Sequence, residues 1–444
     1  MTYPLSNEVV VGDATEASQY NNLRRDALYL GGEPGHSGNL MQLLSRVTGA
    51  ISLTRASGTT IQLTASASNP CGVTIGGAIY AVTSNVSVMV LTSLLPTAGR
   101  YGIWAVGQTD GTFTLAAGSA GPDNSAQIGT FLWDGSGVIP GTVRSIMQYE
   151  SIQTLNIPQT ANGRLTFLSG TPVPDGNITS ADTLYFTPYG GNKIGLMCGG
   201  GEWEIFTFPE LSLSLSGLTN ELPYDVFIDA NQNGLRLTAS PWGSVSARAT
   251  AIAYTDGVPV MASDFRKRYL GTFAKNSAGY GEDSLTGRLL WNQNNRVGRA
   301  LLSRLEEQAS GATSSNQWRP YYSDEAAPVV RALIPMADAA FELTGLGLSE
   351  YISAENAGYS RFYMMGISRD PVMESPYTGN TNCAPVFMRC FGNTPQTVTI
   401  RNHDAGFLGL HKYVLTYYSN YTYKPQGGYA LTGEAPGLYG EIMG

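Results

Sequence analysis

Four pairs of neighbouring carboxylates are the residues of this chain whose types could do general acid–base work: Glu202 with Glu204, Glu282 with Asp283, Glu306 with Glu307, and Asp324 with Glu325. Cleaving a glycosidic bond needs two carboxyl groups across a cleft, about 5 to 10 Å apart. Such pairs come from separate strands, so spacing along the chain leaves polysaccharide cleavage open without pointing to it. Glu282-Asp283 lies in Tyr280-Gly-Glu-Asp-Ser284 and reads as a solvated turn whose carboxylates pair with Arg288 or Arg296. The three histidines, His36, His403 and His411, have no acidic or cysteine residue at ligand spacing, so a structural role is expected rather than metal binding. Cys71, Cys198, Cys383 and Cys390 are scattered with no C-x2-C pair, and buried free thiols are expected over disulfides. There is no G-x-S-x-G elbow, H-E-x-x-H or phosphate-binding G-x-x-x-x-G-K-[ST]. No catalytic residue, cofactor or metal site is assigned, and the chain is read as non-enzymatic.

Composition says what kind of scaffold could hold these groups. Only 14% of the 444 residues are charged, while Gly contributes 53 and hydrophobic residues 42%. That apolar content is enough to offset ordering entropy, so the chain is not disordered. Low charge with abundant Gly, Ser, Thr and Asn points to many short strands joined by tight turns. A formal charge of -8 offers no basic footprint for nucleic acid or for a membrane surface. No apolar run is long enough to span a bilayer, and Met1-Thr-Tyr-Pro-Leu-Ser-Asn has no basic region followed by an apolar core. The expectation is a chain kept soluble, without Sec export and without membrane insertion.

The first 50 residues carry helical periodicity. After Thr15 as a cap, Tyr20, Leu23, Ala27 and Leu30 recur at three- and four-residue steps, and Gly31-Gly32 stops the pattern. A second stripe, Leu40, Leu43, Leu44 and Val47, ends at Gly49. Helices this short must dock, on another chain or on the first β module.

From Ile51 the period changes to two. Val86, Val88 and Val90 alternate with Ser87 and Met89, and Tyr101 to Val106 reads as a strand that Gln108-Thr-Asp-Gly111 turns back into Phe113 and Leu115. Further on, Leu211, Leu213 and Leu215 alternate with serines, and Tyr224, Val226 and Ile228 alternate with Asp225 and Asp229. Asp229-Ala-Asn-Gln-Asn-Gly234 then turns into Leu235 and Leu237. The two regions match. Tyr101 precedes Gly111 by ten residues and Tyr224 precedes Gly234 by ten, and each copy reaches a related tetrapeptide, Ile128-Gly-Thr-Phe131 and Leu270-Gly-Thr-Phe273. The second route takes 46 residues against 27, which is 19 longer, with the insertion around 241 to 263 expected as a loop or an extra hairpin. An internal duplication of a β module follows.

Residues 158–182 are rich in Pro, Gly, Thr and Ser and mark one boundary; 308–317, without apolar periodicity, mark another. The run from Arg288 to Leu305 could be a late strand or a short helix, with strand favoured through 296. The organisation expected is therefore 1–50 as an N-terminal segment with a short helix, 51–157 and 158–308 as related β modules, and 309–444 as a C-terminal β module. The fold class is mainly β, in tandem antiparallel β-sandwich-like modules. In the last module Tyr413, Leu415, Tyr417, Tyr421 and Tyr423 share one face of an extended chain, and Tyr418 the other. Tyr buries its ring and keeps its hydroxyl wet, which suits subunit interfaces and sugar contacts.

Within 160–305, Leu184-Tyr-Phe-Thr-Pro-Tyr-x-Gly-x-Asn192, the Trp203 strand, Leu215-Ser-Gly-Leu218 and Pro223-Tyr-Asp-Val-Phe227 occur in order, followed by Arg268-Tyr-Leu-Gly-Thr272, Glu282-Asp-Ser284 and Trp291-Asn-x-x-Asn-Arg296. Together they resemble a module of the structural proteins of tailed bacteriophages and prophages. Gly12 to Arg24 is similar to the N-terminal segment common in tail and fibre proteins. The end, from Leu410-His-Lys-Tyr413 to Leu431-Thr-Gly-Glu434 and Gly440-Glu-Ile-Met-Gly444, resembles the end of the same proteins, with a Tyr-rich strand in place of a Trp-rich one. The resemblance implies a virion component made in the bacterial cytoplasm: a tail-fibre-like appendage, oligomeric and by analogy with fibres a homotrimer, in contact with other virion proteins. Tyr20, Leu23, Ala27 and Leu30 would dock it to the particle. Tyr417, Tyr418, Tyr421 and Tyr423 would meet a host surface glycan or protein, or another subunit. A purely architectural head, neck or baseplate decoration is the alternative, and a glycan depolymerase a third. The resemblance supplies no catalytic residue, cofactor or metal, and no nucleic-acid partner.

Overall fold

The structure is a computed structural model, and it describes residues 47–48, 51–76, 78–146, 158–199, 201–305, 313–320, 328–337, 341–347, 349–350, 363–370, 386–388, 396–400, 408–425 and 437–444. Among these the chain is all-β, in mainly antiparallel sheets that make β-sandwich-like modules. The N-terminal helix expected over Tyr20, Leu23, Ala27 and Leu30 lies outside the described residues. Its companion stripe is corrected at one end. Val47 belongs to β1 (Val47–Thr48), paired antiparallel with β4 (Cys71–Ile75) through Val47↔Val73. A sheet partner outweighs the 3.6 period of a few leucines.

The chain divides into two compact units, residues 1–157 with 197–204 and 230–234, and residues 158–196 with 205–229 and 235–444. In the first, β2 (Ser52–Ser57), β3 (Thr60–Thr64) and β6 (Val86–Met89) form one sheet in that order, and β1, β4 and β5 (Ala78–Val82) form another. A third sheet runs β10 (Arg144–Ser145), β9 (Ser125–Trp133), β7 (Gly99–Gly107), β8 (Phe113–Gly118). Ile61, Leu63, Val73, Ile103, Phe131 and Trp133 are fully buried members of the core between them.

The later chain repeats this plan. β11 (Gly163–Thr166), β13 (Thr183–Pro188) and β16 (Leu211–Ser214) form a three-stranded sheet, β14 (Lys193–Met197) and β15 (Trp203–Thr207) a hairpin, and β17 (Pro223–Asn231) pairs between β18 (Gly234–Pro241) and β21 (Asp264–Ala274). β24 (Leu290–Asn292) lies on the other side of β21. Registers agree residue for residue. Leu53↔Leu63 and Leu63↔Val86 in the first copy correspond to Leu165↔Phe186 and Phe186↔Leu211 in the second.

The correspondence extends to an irregularity. β7 meets β9 through Tyr101↔Phe131 and Ile103↔Gly129 and then Trp104↔Gln127, skipping Ile128; β17 meets β21 through Tyr224↔Phe273 and Val226↔Gly271 and then Phe227↔Tyr269, skipping Leu270. One extra residue in the same place makes a β-bulge in each copy. The tyrosine–phenylalanine pair beside it is also kept, with ring centroids 6.0 Å apart in the first copy and 5.6 Å in the second. The likeness in spacing is thus accompanied by a likeness in pairing. The insertion is an added hairpin, β19 (Ile252–Thr255) with β20 (Val258–Met261), which extends the sheet beyond β21.

Alternation holds in β16, where Leu211 and Leu213 are half-buried and Ser212 and Ser214 exposed. It fails in β17. Asp225 and Asp229, expected on a polar face, are buried, because β17 is an interior strand, Arg248 from the chain after β18 pairs with Asp225, and Arg236 of β18 pairs with Asp229. The uncertain run after Arg288 is strand throughout: β23 (Gly287–Arg288), β24 and β25 (Gly298–Arg304).

Residues on both sides of 308–317 share sheets. β25 pairs with β34 (Gly437–Met443), which pairs with β28 (Phe341–Gly347), itself paired with β32 (Gln396–Ile400). β22 (Gly281–Asp283) pairs with β12 (Ile178–Ala181) and with β23, and β23 runs parallel to β27 (Val329–Ile334). β27 pairs with the long β33 (Gly409–Pro425), which carries β26 (Thr313–Pro320), β29 (Ser349–Glu350) and β30 (Tyr363–Arg369), the last extended by β31 (Val386–Met388). One core holds Phe227, Tyr269 and Trp291 with Val330, Leu343, Tyr413, Leu415 and Ile442.

Gly271 sits at the bulge with φ of 155°, and a Cβ there would lie 2.2 Å from the Trp291 carbonyl oxygen. At the matching Gly129 it would lie 2.5 Å from the Arg144 carbonyl oxygen. Gly271→Ala is therefore expected to lower unfolding free energy by more than about 2 kcal/mol, since the contact is with backbone that cannot rotate away. A urea midpoint unchanged from wild type would refute that strain.

Candidate functional site

The carboxylate pairs are the groups that could do chemistry, and the two among the described residues, Glu202 with Glu204 and Glu282 with Asp283, bond to the protein's own groups. β15 carries Glu202's neighbour Trp203 and then Glu204, so Glu202 and Glu204, two residues apart, share one face. Both meet Arg100 of β7. Arg100 Nη2 donates to Glu204 Oε2 at 2.6 Å and its Nε to Glu202, while Arg144 of β10 reaches the other Glu204 oxygen through Nη2 at 2.6 Å and Nε at 2.9 Å. Arg100 also donates to Thr130 at 3.3 Å. Burial alone would push the Arg100 guanidinium down, but its bonds to Glu204 and Glu202 prevail and hold it above the ordinary arginine value. Glu204 is 2% exposed with both oxygens occupied by guanidinium. Three guanidinium N–H groups hold this carboxylate in place.

A second cluster is built by the bulge. Tyr269 and Thr272, three apart, would point to opposite faces of a regular strand. The extra residue Leu270 puts them on the same face, and the Tyr269 hydroxyl lies 2.6 Å from Thr272 Oγ1. Thr272 in turn donates to Asp225 Oδ1 at 2.7 Å, and Arg248 closes the cluster with Nε at 2.8 Å and Nη2 at 3.2 Å from the Asp225 oxygens. The Arg248 guanidinium lies 4.8 Å from the Trp242 ring centroid and 5.6 Å from that of Tyr269. Burial, with the Asp225 charge, raises the Tyr269 phenol far above its ordinary value, so it stays neutral. The cluster fixes the inserted loop on the sheet.

Glu282-Asp283 is not a solvated turn. Asp283 is buried, with Arg288 Nη1 at 2.7 Å, as the sequence suggested, and Arg299 Nη2 at 3.0 Å in place of Arg296. Arg296 instead stacks over Trp291 at 4.2 Å. Glu282 accepts from Ser284 at 2.7 Å and from Asn276 at 3.2 Å. The pairs Glu306/Glu307 and Asp324/Glu325 lie outside the described residues.

Two buried arginines bind backbone instead of carboxylate. Arg164 donates to the carbonyls of Pro172 at 3.0 Å, Asn295 at 2.6 Å and Gly444 at 2.6 Å; Arg268 Nη1 donates to those of Pro158 at 2.8 Å, Thr160 at 3.1 Å and Gly195 at 2.8 Å. Burial lowers each to about 10, still charged at neutral pH. They tie connecting segments to the sheets. Sequence reading missed Arg100, Arg144, Arg164, Arg248 and Arg299. The available signal was scarcity, since a chain with 14% charged residues that places arginine among apolar strand residues has partners in view for it.

His411 is buried, its Nδ1 2.6 Å from Asp370 Oδ2 on the adjoining strand end. His36 and His403 lie outside the described residues, as do Cys383 and Cys390; Cys71 and Cys198 are buried free thiols, and burial raises Cys71 to about 11. Tyr417, Tyr418, Tyr421 and Tyr423 are on β33, whose backbone register places Tyr417 between Arg319 and Met365 and Tyr418 between Trp318 and Met364, and their side chains are outside the described set. Tyr413 and Leu415, which share a face with Tyr417, are core residues. Tyr20, Leu23, Ala27 and Leu30 are likewise outside the described residues.

No family model and no curated protein matches the chain. Among solved structures, one chain of the infectious bursal disease virus Gx strain structure aligns with 65% of this chain and 73% of its own length, at 10% identity and a TM-score of 0.19. A superposition that poor shows no shared fold.

Two outcomes test the structural reading of these carboxylates. Glu204→Ala leaves two guanidinium groups facing one another in a buried site and should cost about 3 to 5 kcal/mol in denaturant unfolding; a loss within experimental error would mean that the pair carries no structural charge. Glu210 accepts from Ser169 at 2.6 Å, Thr187 at 2.6 Å and the Gly170 amide at 2.7 Å. Burial opposes its ionisation, and these three bonds outweigh burial, so its folded value lies below the ordinary 4.5. A depressed acid stabilises above its unfolded value and loses that contribution as pH falls through the folded value. Glu210→Gln should therefore lower stability by about 1 kcal/mol at pH 7, and the difference should shrink below pH 4. A difference independent of pH would contradict the assignment.

Proposed function

We propose that this chain is a non-enzymatic structural component of a virus particle, a fibre-like tail or surface appendage of a tailed phage. One observation carries the reading: charged residues of the phage-like motif in 160–305 serve the scaffold. Asp225, Arg268 and Asp283 each bond to the protein's own groups, as does Glu204. A catalytic centre needs polar groups held for a substrate. Among the described residues these groups are held for the sheets.

In this reading the N-terminal segment attaches the protein to the particle, Tyr20, Leu23, Ala27 and Leu30 supplying the apolar stripe. Copies assemble as a homotrimer beside other virion proteins, and symmetric association covers exposed strand edges. Contacts of the C-terminal Tyr residues with a host glycan or protein would gain strength by multivalency. One feature favours the architectural alternative, a head, neck or baseplate decoration, for part of this surface. β33 is an interior strand paired on both sides, and Tyr413 and Leu415 are in the core. That leaves less of the Tyr face for a receptor.

Particles carrying Leu23→Asp with Leu30→Asp should lack the protein while the purified variant keeps a β-type circular dichroism spectrum. Immunogold microscopy of wild-type particles should then show it at the tail or on a surface appendage. Normal incorporation of the double variant removes the docking role, and absence from purified wild-type particles removes the virion reading. Shortened glycans after incubation with host capsule would overturn the non-enzymatic assignment.

A further inference from the structure

An asparagine followed by glycine can react with its own backbone. The glycine nitrogen attacks the asparagine side-chain Cγ, ammonia leaves, and water opens the resulting cyclic imide to aspartate or, through its other carbonyl, to isoaspartate. Glycine matters because it brings no Cβ to block the approach. The chain has two such bonds, Asn162-Gly163 and Asn233-Gly234. The fold treats them oppositely.

Asn162-Gly163 is locked. Asn162 N donates to the Lys193 carbonyl at 2.9 Å, its own carbonyl accepts from Tyr189 N at 3.2 Å, and its side-chain amide donates to the Gly190 carbonyl at 3.4 Å. Gly163 is buried in β11, paired with Pro188, and its carbonyl accepts from Asn295 at 2.9 Å. A Cβ on Gly163 would stand 2.2 Å from the Phe186 ring. Turning the Asn162 side chain onto Gly163 N would break these bonds in a packed site with no room for the ring.

Asn233-Gly234 lies in the turn between β17 and β18. Asn233 is exposed, and among the described residues its side chain has no hydrogen-bond partner. Gly234 has φ of 104°, and no atom lies within 4 Å of where its Cβ would be. The residue before the bond is held: Gln232 N donates to Asp134 Oδ2 at 2.7 Å, and the Gln232 carbonyl accepts from Arg55 Nη2 at 2.8 Å. An anchored residue is thus followed by a free amide and an open glycine, the arrangement that an intramolecular attack needs.

We propose that Asn233-Gly234 is a site of spontaneous deamidation in the folded protein, and that Asn162-Gly163 is spared. The bond from Gly234 N to Asn233 Cγ forms, the Cγ–NH2 bond breaks, the amide proton leaves with the ammonia, and water supplies the new carboxylate oxygen. No oxidant, reductant or enzyme is needed. The product carries a new negative charge in the turn that the Asp134 carboxylate holds, and isoaspartate also adds a methylene to the main chain between residues 233 and 234. The turn changes charge with the age of the protein.

The test is to incubate the purified full chain at mildly alkaline pH, folded and in urea, and to follow both peptides by mass spectrometry and by hydroxylamine cleavage, which traps the imide. In the folded protein the Asn233 peptide should convert at least about tenfold faster than the Asn162 peptide. In urea the two rates should converge, because the bonds that lock Asn162 are gone. Aged protein should gain a later anion-exchange peak, and Asn233→Gln should remove that peak with an unchanged circular dichroism spectrum. Equal conversion of both sites in the folded protein overturns the proposal, as does an Asn233 that converts in urea alone. An acidic peak that persists in Asn233→Gln places the reaction elsewhere and overturns it too.

Discussion

The bulge in the long strand of each module is the constraint on which the rest of the structure depends. Without a side chain, Gly129 and Gly271 let the neighbouring backbone close in to a distance no other residue tolerates. The extra residue before each glycine changes which side chains share a face. In the second module this sets Tyr269 beside Thr272 and so completes the bonds to Asp225. In the first, the position equivalent to Asp225 is Gly102, which has Trp104 Nε1 2.6 Å from where its Cβ would stand. The same pairing thus supports a buried charge in one copy and a packed indole in the other.

Scarce charge makes each buried ion pair consequential. An isolated buried charge is costly, and an arginine–carboxylate pair offsets that cost only when its remaining donors and acceptors are met. Glu204, Asp225 and Asp283 each receive two or more partners, and Arg164 and Arg268 each donate to three backbone carbonyls, although the Nε atoms of Arg268 and Arg299 are buried without a partner among the described residues. These contacts join strands far apart in the sequence. They are a means of fixing one arrangement of many similar strands, where apolar contacts alone discriminate poorly between registers.

The duplication gives an internal control on what folding requires. Side chains that are alike in both copies, such as the Tyr–Phe pair and the inward Leu53 and Leu165, belong to the fold. Those that differ at equivalent exposed positions are available for other work. The added β19–β20 hairpin extends the sheet at its edge, where a new strand disturbs the core least.

The sequence alone carried the class and the repeat, because period-two alternation, the Tyr-to-Gly spacing and the paired tetrapeptides are local and additive along the chain. Strand existence over Val86 to Val90, Tyr101 to Val106 and Leu211 to Leu215 was legible for that reason. It did not carry burial on both faces of a strand. Asp225 alternates as a surface residue would, and becomes a core residue because Arg248 arrives from 23 positions away with its charge. Asp283 was readable as a partner of Arg288, five residues on, while its bond to Arg299 depends on how β25 returns past β23. The joining of 329–443 to earlier strands was likewise invisible, since pairing such as Arg288↔Ala332 has no local signature. Tertiary structure decided which charges are spent inside the protein, because that depends on which distant strands become neighbours, and periodicity reports only on the chain's own two faces.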